Sequence, residues 1–187
     1  MGHVIFAINI TLDGCCDHTK GISDEAVHEY FTQLLQTVDT LVYGRITYQL
    51  MVPFWPDIAR DHSGHTKAMN DFAQAFDAVN EIIVCSRSLE QAAGKNTRII
   101  RAGLPDEIRK LKQDTNKTIL LGGVDVPSQL IALGLVDEFQ VVIHPVIAGA
   151  GRRLLTDSSL PAGLPVTLVS SKTFPSGCVA LRYLKNA

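Results

Sequence analysis

Three short motifs in this sequence place small or basic residues directly after apolar runs. Gly122 and Gly123 follow TILL, Arg45 follows LVYG, and Ser86 and Arg87 follow IIVC. Glycine lets the backbone turn sharply and lets a ligand approach closely, and arginine can hold a phosphate through two hydrogen bonds. Each motif taken alone is explained equally well by a turn or by a polar strand end.

Taken together, the motifs predict one binding track. Ligands of open α/β sheets bind at the carboxyl ends of the strands, so residues that follow several strands can meet at one edge. We expect the pair of Gly122 and Gly123 to receive a pyrophosphate, aided by the N-terminus of the helix that follows. Arg45 and Arg87 are then expected to hold an adenosine 2′-phosphate. The pair is not the GxGxxG fingerprint, because the third glycine is absent.

The surrounding pattern predicts an α/β fold that occupies residues 1–187 as one domain. A helix is predicted over 24–37, with Ser23 as its cap. A second, short helix is expected to begin at Arg45 and Thr47. The alternation predicts a mixed, mainly parallel sheet with helices on both faces and a C-terminal antiparallel hairpin. The longest irregular stretch is 51–65. Strands are predicted at 4–10, 40–43, 81–85, 97–101, 118–121, 138–144, 166–171 and 178–184, and the other helices at 67–76, 105–112 and 126–133.

Composition narrows the possible partners. The chain carries 17 basic and 19 acidic residues with no basic block, which argues against nucleic-acid binding. No apolar run approaches the roughly 20 residues of a membrane span, and the opening stretch lacks a basic segment, so we expect a cytoplasmic protein without membrane contact. The four cysteines lack metal-ligand spacing, and His62 and His65 lack a third ligand, so no metal site is predicted. His144, beside Pro145, is expected to be structural.

The sequence resembles the dihydrofolate-reductase-like superfamily and, within it, the reductase domain of bacterial riboflavin biosynthesis. The resemblance covers essentially the whole chain and rests on TLDG, YGRITY, VCSRS, LLGG and LGLVDEFQVVIHPVIAGAGRRLL. It implies a three-layer α/β/α fold, NADPH as cofactor, and hydride transfer to a small nitrogen heterocycle of the aminopyrimidine or pterin type. True dihydrofolate reductases carry an acid facing the pterin, and Val27 stands at that place here.

The resemblance also implies positions along the cofactor. The backbone of Ala7 and Ile8 would lie near the nicotinamide carboxamide. The remaining implied cofactor-binding residues are Gly14, Gly44, Arg45, Ile46, Thr47, Ser86, Arg87, Gly122, Gly123, Val124, Asp125 and Val126.

Two further sets complete the predicted site. Asp13 is the first candidate for a proton donor, followed by Glu25 and His28. The substrate wall is predicted from four aromatic residues that could instead pack in the core: Tyr30, Tyr48, Phe54 and Trp55.

Two features leave alternatives open. The glycine-rich stretch 148–151, followed by Arg152 and Arg153, is either a second anion-binding loop or a turn with surface arginines. The function is either that of a reductase or that of an NADP-binding module without turnover. The apolar C-terminal strands and the resemblance make a homodimer plausible.

Overall fold

The computed structural model describes residues 1–22, 24–94, 96–155 and 163–186. The strands in these residues are β1 (His3–Thr11), β2 (Thr40–Gly44), β3 (Glu81–Cys85), β4 (Thr97–Ile100), β5 (Thr118–Leu121), β6 (Glu138–His144), β7 (Val166–Thr173) and β8 (Val179–Lys185). The helices are α1 (Glu25–Leu35), α2 (Arg45–Met51), α3 (Phe54–Asp61), α4 (Lys67–Asp77), α5 (Leu104–Leu111) and α6 (Asp125–Ala132), with a short 3-10 turn at His18–Lys20.

The strands form one sheet in the order β4-β3-β2-β5-β1-β6-β8-β7. The first six strands of this order run parallel, and β8 pairs antiparallel with both β6 and β7. The predicted mixed, mainly parallel sheet with a C-terminal antiparallel hairpin is therefore confirmed.

Helices cover both faces of the parallel part. Successive side chains of a strand point to opposite faces, so Ile5 packs toward α1 and α4, whereas Val4 and Phe6 pack toward α5 and α6. Leu41 and Val42 of β2 divide between the two cores in the same way. Nearly continuous apolar runs such as TLVY thus supply both cores at once, as expected for strands that are covered on both faces.

The start of α1 and the stretch 51–65 differ from the sequence predictions or fall partly outside the described residues. Asp24 is the N-cap of α1 and accepts hydrogen bonds from the backbone of Ala26 and Val27, whereas the predicted cap Ser23 lies outside the described residues. The prediction that 51–65 is irregular is wrong, because α3 occupies most of it. Pro53 precedes α3 and Pro56 lies in its first turn, where the missing N–H groups cost nothing.

Strands β1 and β5 end at different places along the sheet. Strand β5 ends at Leu121, opposite Phe6, whereas β1 continues to Thr11. From Ala7 onward β1 pairs only with β6 among the described strands, so its other edge faces the turn at Gly122 and Gly123. Within the same described residues, no helix is long and apolar enough to cross a membrane.

Candidate functional site

A cleft of about 980 Å³ lies at the carboxyl ends of β2, β3 and β4 and at the start of α6. Its volume is at the upper end of the range of roughly 300–1,000 Å³ that small-molecule sites occupy. It is lined by Cys16, Asp17, His18, Gly44, Arg45, Ile46, Thr47, Leu50, Cys85, Ser86, Arg87, Ser88, Ile100, Arg101, Ala102, Gly103, Leu104, Pro105, Gly123, Val124, Asp125, Val126, Gln129 and Arg152.

This cleft brings the three sequence motifs together, since each contributes residues to the lining. Four residues of the predicted cofactor set are not part of it. Ala7 and Ile8 lie on β1, one strand beyond β5, and Gly14 lies beside Arg153. Gly122 sits behind the lining, against the ring of Tyr43. The other predicted cofactor residues line the cleft: Gly44, Arg45, Ile46, Thr47, Ser86, Arg87, Gly123, Val124, Asp125 and Val126.

The two central glycines are required for two different reasons. A Cβ atom on Gly122 would overlap the ring of Tyr43, which is buried in the core. Gly123 has a φ of +85°, in the left-handed region that favours glycine, and a Cβ there would overlap the hydroxyl of Thr47. The pair therefore brings the β5–α6 turn against β2 and α2, and Gly123 leaves a side-chain-free surface facing the cleft.

Helix α6 begins at this surface without a side-chain cap. Its N-cap is Val124, which makes no side-chain capping hydrogen bond. The backbone N–H groups of the first turn and the positive end of the helix dipole therefore point toward the cleft. At the mouth, the carboxylate of Asp125 in this turn forms an ion pair with Arg152.

Four arginines give the cleft a basic wall. The Arg45 Nη1 donates to Gln49 Oε1 at 2.9 Å, which aims that guanidinium along α2. Arg101 donates to the backbone oxygens of Arg87 at 3.3 Å and of Glu90 at 3.5 Å. Arg101 was not predicted from the sequence, and Arg152 was named only with the possible anion-binding loop at 148–151. The signal for Arg101 was present, because it follows TRII as Arg87 follows its own strand.

The carboxylate of Asp13, the first predicted proton donor, is fixed by hydrogen bonds and does not line the cleft. Its carboxylate accepts hydrogen bonds from the Thr11 hydroxyl at 2.5 Å and from the backbone N–H groups of Ala148 and Gly149, each at 3.0 Å. Arg153 lies 3.3 Å away. The Thr11 hydroxyl first and then these backbone donors hold the Asp13 pKa well below its usual range. The carboxylate stays ionised, and the loop 148–151 binds this internal anion.

The other two predicted proton donors are also outside the cleft lining. Glu25 is exposed in the first turn of α1. The His28 ring lies 6.1 Å from the Trp55 ring and 5.9 Å from the Phe72 ring, both edge to face. Burial in this aromatic cluster lowers the His28 pKa below its usual value. The imidazole is therefore held in its neutral form.

The four residues predicted to form the substrate wall make different contacts. Tyr48 is 3% exposed and donates its hydroxyl hydrogen to the Ala93 carbonyl at 2.6 Å, so it is a core residue and its prediction as substrate wall is wrong. Phe54 and Trp55 contact each other on α3, with ring centroids 4.9 Å apart. Tyr30, on α1, donates its hydroxyl hydrogen to Gln140 Oε1 on β6.

Two cysteines line the cleft but are poor nucleophiles. Burial raises the pKa of the Cys85 thiol to about 12 and also raises that of Cys16. Both therefore remain thiols at neutral pH. In the described part of the chain, no group of three or more His, Cys, Asp or Glu side chains is arranged to hold a metal ion.

Comparison with known proteins agrees with this architecture. The sequence pattern of the RibD C-terminal domain matches residues 2–180. The chain is 30% identical over 191 residues to the uncharacterized protein YyaP of Bacillus subtilis, with 96% of this chain and 93% of that protein covered.

Solved structures show the same fold. A provisionally named riboflavin biosynthesis protein from Shewanella sp. PV-4 has a TM-score of 0.74 at 18% identity, with 100% of both chains covered. The diaminohydroxyphosphoribosylaminopyrimidine deaminase/5-amino-6-(5-phosphoribosylamino)uracil reductase of Thermotoga maritima has a TM-score of 0.66 at 17% identity over 99% of this chain and 57% of that one. The fold is thus the dihydrofolate-reductase-like α/β fold.

Proposed function

Because this chain belongs to the RibD C-terminal domain family, we propose that it is an NADPH-dependent reductase of a small nitrogen heterocycle of the aminopyrimidine type. The observation that carries the proposal is the single cleft that joins the glycine turn, the open start of α6 and a basic wall. Bound NADPH would supply a hydride, and the protein would supply position and electrostatics.

The residues present fit such a cofactor. The side-chain-free surface at Gly123 and the N–H groups that begin α6 suit a pyrophosphate. Arg45 and Arg87 suit a 2′-phosphate, because a guanidinium recognises phosphate through paired hydrogen bonds. We extend this proposal to Arg101, which reaches the same wall from the end of β4.

The nicotinamide is proposed to lie beside the open edge of β1. The backbone of Ala7 and Ile8 on that edge is free of β5, which ends opposite Phe6. Gly123 lines the cleft, and β5, the strand that ends at this turn, is the neighbour of β1 in the sheet. The chain therefore positions the reacting ring mainly through backbone and shape, and such orientation alone can lower a barrier by up to roughly 7–11 kcal/mol.

A second candidate function is an NADP-binding module without turnover. The observation that favours it is the state of the three predicted proton donors. Asp13 is held as a carboxylate by its hydrogen bonds, His28 is packed in an aromatic cluster, and Glu25 is exposed on α1. None of the three lines the cleft.

We also propose that two copies of the chain associate through β7. This edge strand is exposed along its whole length and presents Val166, Leu168 and Val169 at 38%, 51% and 45% exposure. An exposed edge strand with apolar side chains is a template for pairing with another chain. A second copy would provide the same strand by two-fold symmetry.

The experiment that tests the reductase proposal uses two steps. NADPH binding is measured by fluorescence titration, and oxidation of NADPH is then followed at 340 nm with 5-amino-6-(5-phosphoribosylamino)uracil and with dihydrofolate. The proposal expects turnover with the aminopyrimidine. NADPH binding without oxidation on either substrate would favour the binding module, and turnover on dihydrofolate alone would overturn the proposed substrate class.

A further inference from the structure

Asn9 is an exposed polar residue in the middle of the sheet. Strand β1 lies between β5 and β6, and a strand in this position is normally covered on both faces. Ile5 and Ile8 follow this rule and are buried, whereas Ala7 is half-buried and Asn9 is exposed. The face of β1 that carries Ile5, Ala7 and Asn9 therefore opens toward its carboxyl end.

The side chain of Asn9 is oriented by a buried histidine. The Nε2 of His144 lies 3.1 Å from Asn9 Oδ1, and the backbone N–H of Ile22 donates to His144 Nδ1 at 3.2 Å. A backbone amide can only donate, so Nδ1 is the acceptor and the neutral ring carries its hydrogen on Nε2. His144 therefore donates to Asn9 Oδ1.

This arrangement leaves the amide nitrogen of Asn9 available. Its oxygen is occupied by His144, and within the described residues its Nδ2 makes no hydrogen bond. Two N–H donors on an exposed, fixed amide suit a neutral acceptor such as a ring carbonyl oxygen.

The histidine is itself held tightly. It is 4% exposed, its Nδ1 lies 3.5 Å from the Sγ of buried Cys178, and a Cβ on Gly21 would stand 3.3 Å from its ring. Burial lowers the His144 pKa below its usual value, although the negative charge of Asp24 acts to raise it. Asp24 and Cys178 are the titratable groups that face the ring. The ring therefore has little freedom to turn or to take up a second proton.

We propose that Asn9 is a specificity-determining residue for the heterocyclic substrate, with its Nδ2 donating a hydrogen bond to a ring carbonyl oxygen, and that His144 is the positioning residue that aims it. The inference rests on the proposed function, which puts the nicotinamide against the open edge of β1 beside Ala7. Asn9 lies two residues further along the same strand, and its side chain is exposed.

The substitution test compares Asn9→Ala with Asn116→Ala, which removes an exposed amide from the turn after α5. We expect Asn9→Ala to raise the KM for 5-amino-6-(5-phosphoribosylamino)uracil about tenfold, as loss of one neutral hydrogen bond does. The Kd for NADPH and the thermal midpoint should match those of Asn116→Ala. An unchanged KM would overturn the proposal while leaving the reductase function standing.

The positioning role of His144 has its own readout. His144→Gln keeps a donor that can reach Asn9 Oδ1, whereas His144→Phe removes it. We expect His144→Phe to raise the KM as Asn9→Ala does, His144→Gln to restore part of the loss, and the double variant with Asn9→Ala to add nothing further. Additive losses would mean that His144 acts only on folding and would overturn its role as the residue that aims Asn9.

A measurement without turnover separates the two proposals. The side-chain amide resonances of Asn9, assigned by comparison with Asn9→Ala, are followed while 5-amino-6-(5-phosphoribosylamino)uracil is added to protein saturated with NADP⁺. A shift of these resonances is expected, and their constancy would overturn the contact. A shift with no oxidation of NADPH would retain Asn9 as a binding residue and reject the reductase.

Discussion

The Oδ1 of Asp13 accepts a hydrogen bond from the backbone N–H of Ala148 at 3.0 Å, which ties the turn after β1 to the loop after β6. The same two segments also meet through a bridge between Cys15 and Arg153 and through a 2.7 Å hydrogen bond from the Cys16 N–H to the Arg152 carbonyl. Because Arg152 reaches on to Asp125 at the start of α6, Asp13 supports one wall of the cleft without lining it.

Replacing Asp13 with alanine is therefore expected to lower stability and to loosen this wall. The Asp13 pKa is lowered in the folded state from an ordinary value of 3.8, so its contribution is present above about pH 4 and is lost as the pH falls below that value. We expect the thermal midpoint of Asp13→Ala to fall by several degrees at pH 7 and to converge with the wild type in acid.

The matched control is Asp106→Ala, which removes an exposed carboxylate paired with Arg109 on the surface of α5. Exposed pairs of this kind contribute about 0–1 kcal/mol, so little change is expected. Equal midpoints for Asp13→Ala and Asp106→Ala at pH 7 would contradict the structural role of Asp13.

The glycine turn gives a second prediction. Gly123→Ala adds a Cβ at a φ of +85° and against Thr47, whereas Gly134→Ala adds one at a φ of +67° with no atom within 4 Å. Both variants carry backbone strain of roughly 1–2 kcal/mol, but only the first displaces Thr47 from the cleft. We expect Gly123→Ala alone to weaken NADPH binding, by tenfold or more in a fluorescence titration. Similar Kd values for the two variants would mean that the close contact at Gly123 does not shape the site.

The buried hydroxyl of Tyr48 gives a third prediction. Tyr48→Phe removes the hydrogen bond to the Ala93 carbonyl, and we expect the free energy of unfolding in urea to fall by about 1 kcal/mol. The KM values for cofactor and substrate should not change, because Tyr48 does not line the cleft. Tyr183→Phe, at a half-buried position of β8 outside the cleft lining, serves as the control. A rise in KM for Tyr48→Phe without loss of stability would restore Tyr48 to the substrate wall.

The strands were the most predictable part of this fold. Apolar runs bounded by turn residues predicted β3, β5 and β6 at their observed limits, because burial on both faces leaves a simple signal in sequence. Helix α3 was missed because Pro53, Pro56 and the charged residues around it are typical of a loop. Its apolar side chains Ile58 and Ala59 pack in a small cluster with α4 and Trp55, which sequence spacing over eight residues does not reveal.

The candidate site was only partly predictable. Residues that follow apolar strands could be placed at one edge, and Arg45 and Arg87 do share a cleft. The neighbours of each residue depend on the order of strands, which sequence does not specify. Asp13 was therefore interpreted as a proton donor, although its carboxylate accepts hydrogen bonds from the backbone of Ala148 and Gly149. The sequence did carry a signal for Asn9, because this polar residue interrupts the apolar run VIFAINI.

The proposed dimer gives a fourth prediction. A double variant, Leu168→Lys with Val169→Lys, puts two charges on the exposed apolar part of β7, at its register shift, and we expect it to convert a dimer to a monomer in size-exclusion chromatography with light scattering. Leu133→Lys changes another exposed leucine, at the end of α6, and should leave the dimer intact. A monomeric wild type at micromolar concentration would reject association through β7.

The most direct test of the account is a pair of titrations, with NADPH and with NADH, on the wild type and on Arg45→Ala with Arg87→Ala. Arg109→Ala, on the exposed surface of α5, is the control. The account predicts that the wild type prefers NADPH, and that the double variant weakens NADPH binding at least tenfold while the affinity for NADH hardly changes. Equal weakening of both cofactors, or no binding of NADPH by the wild type, would contradict it.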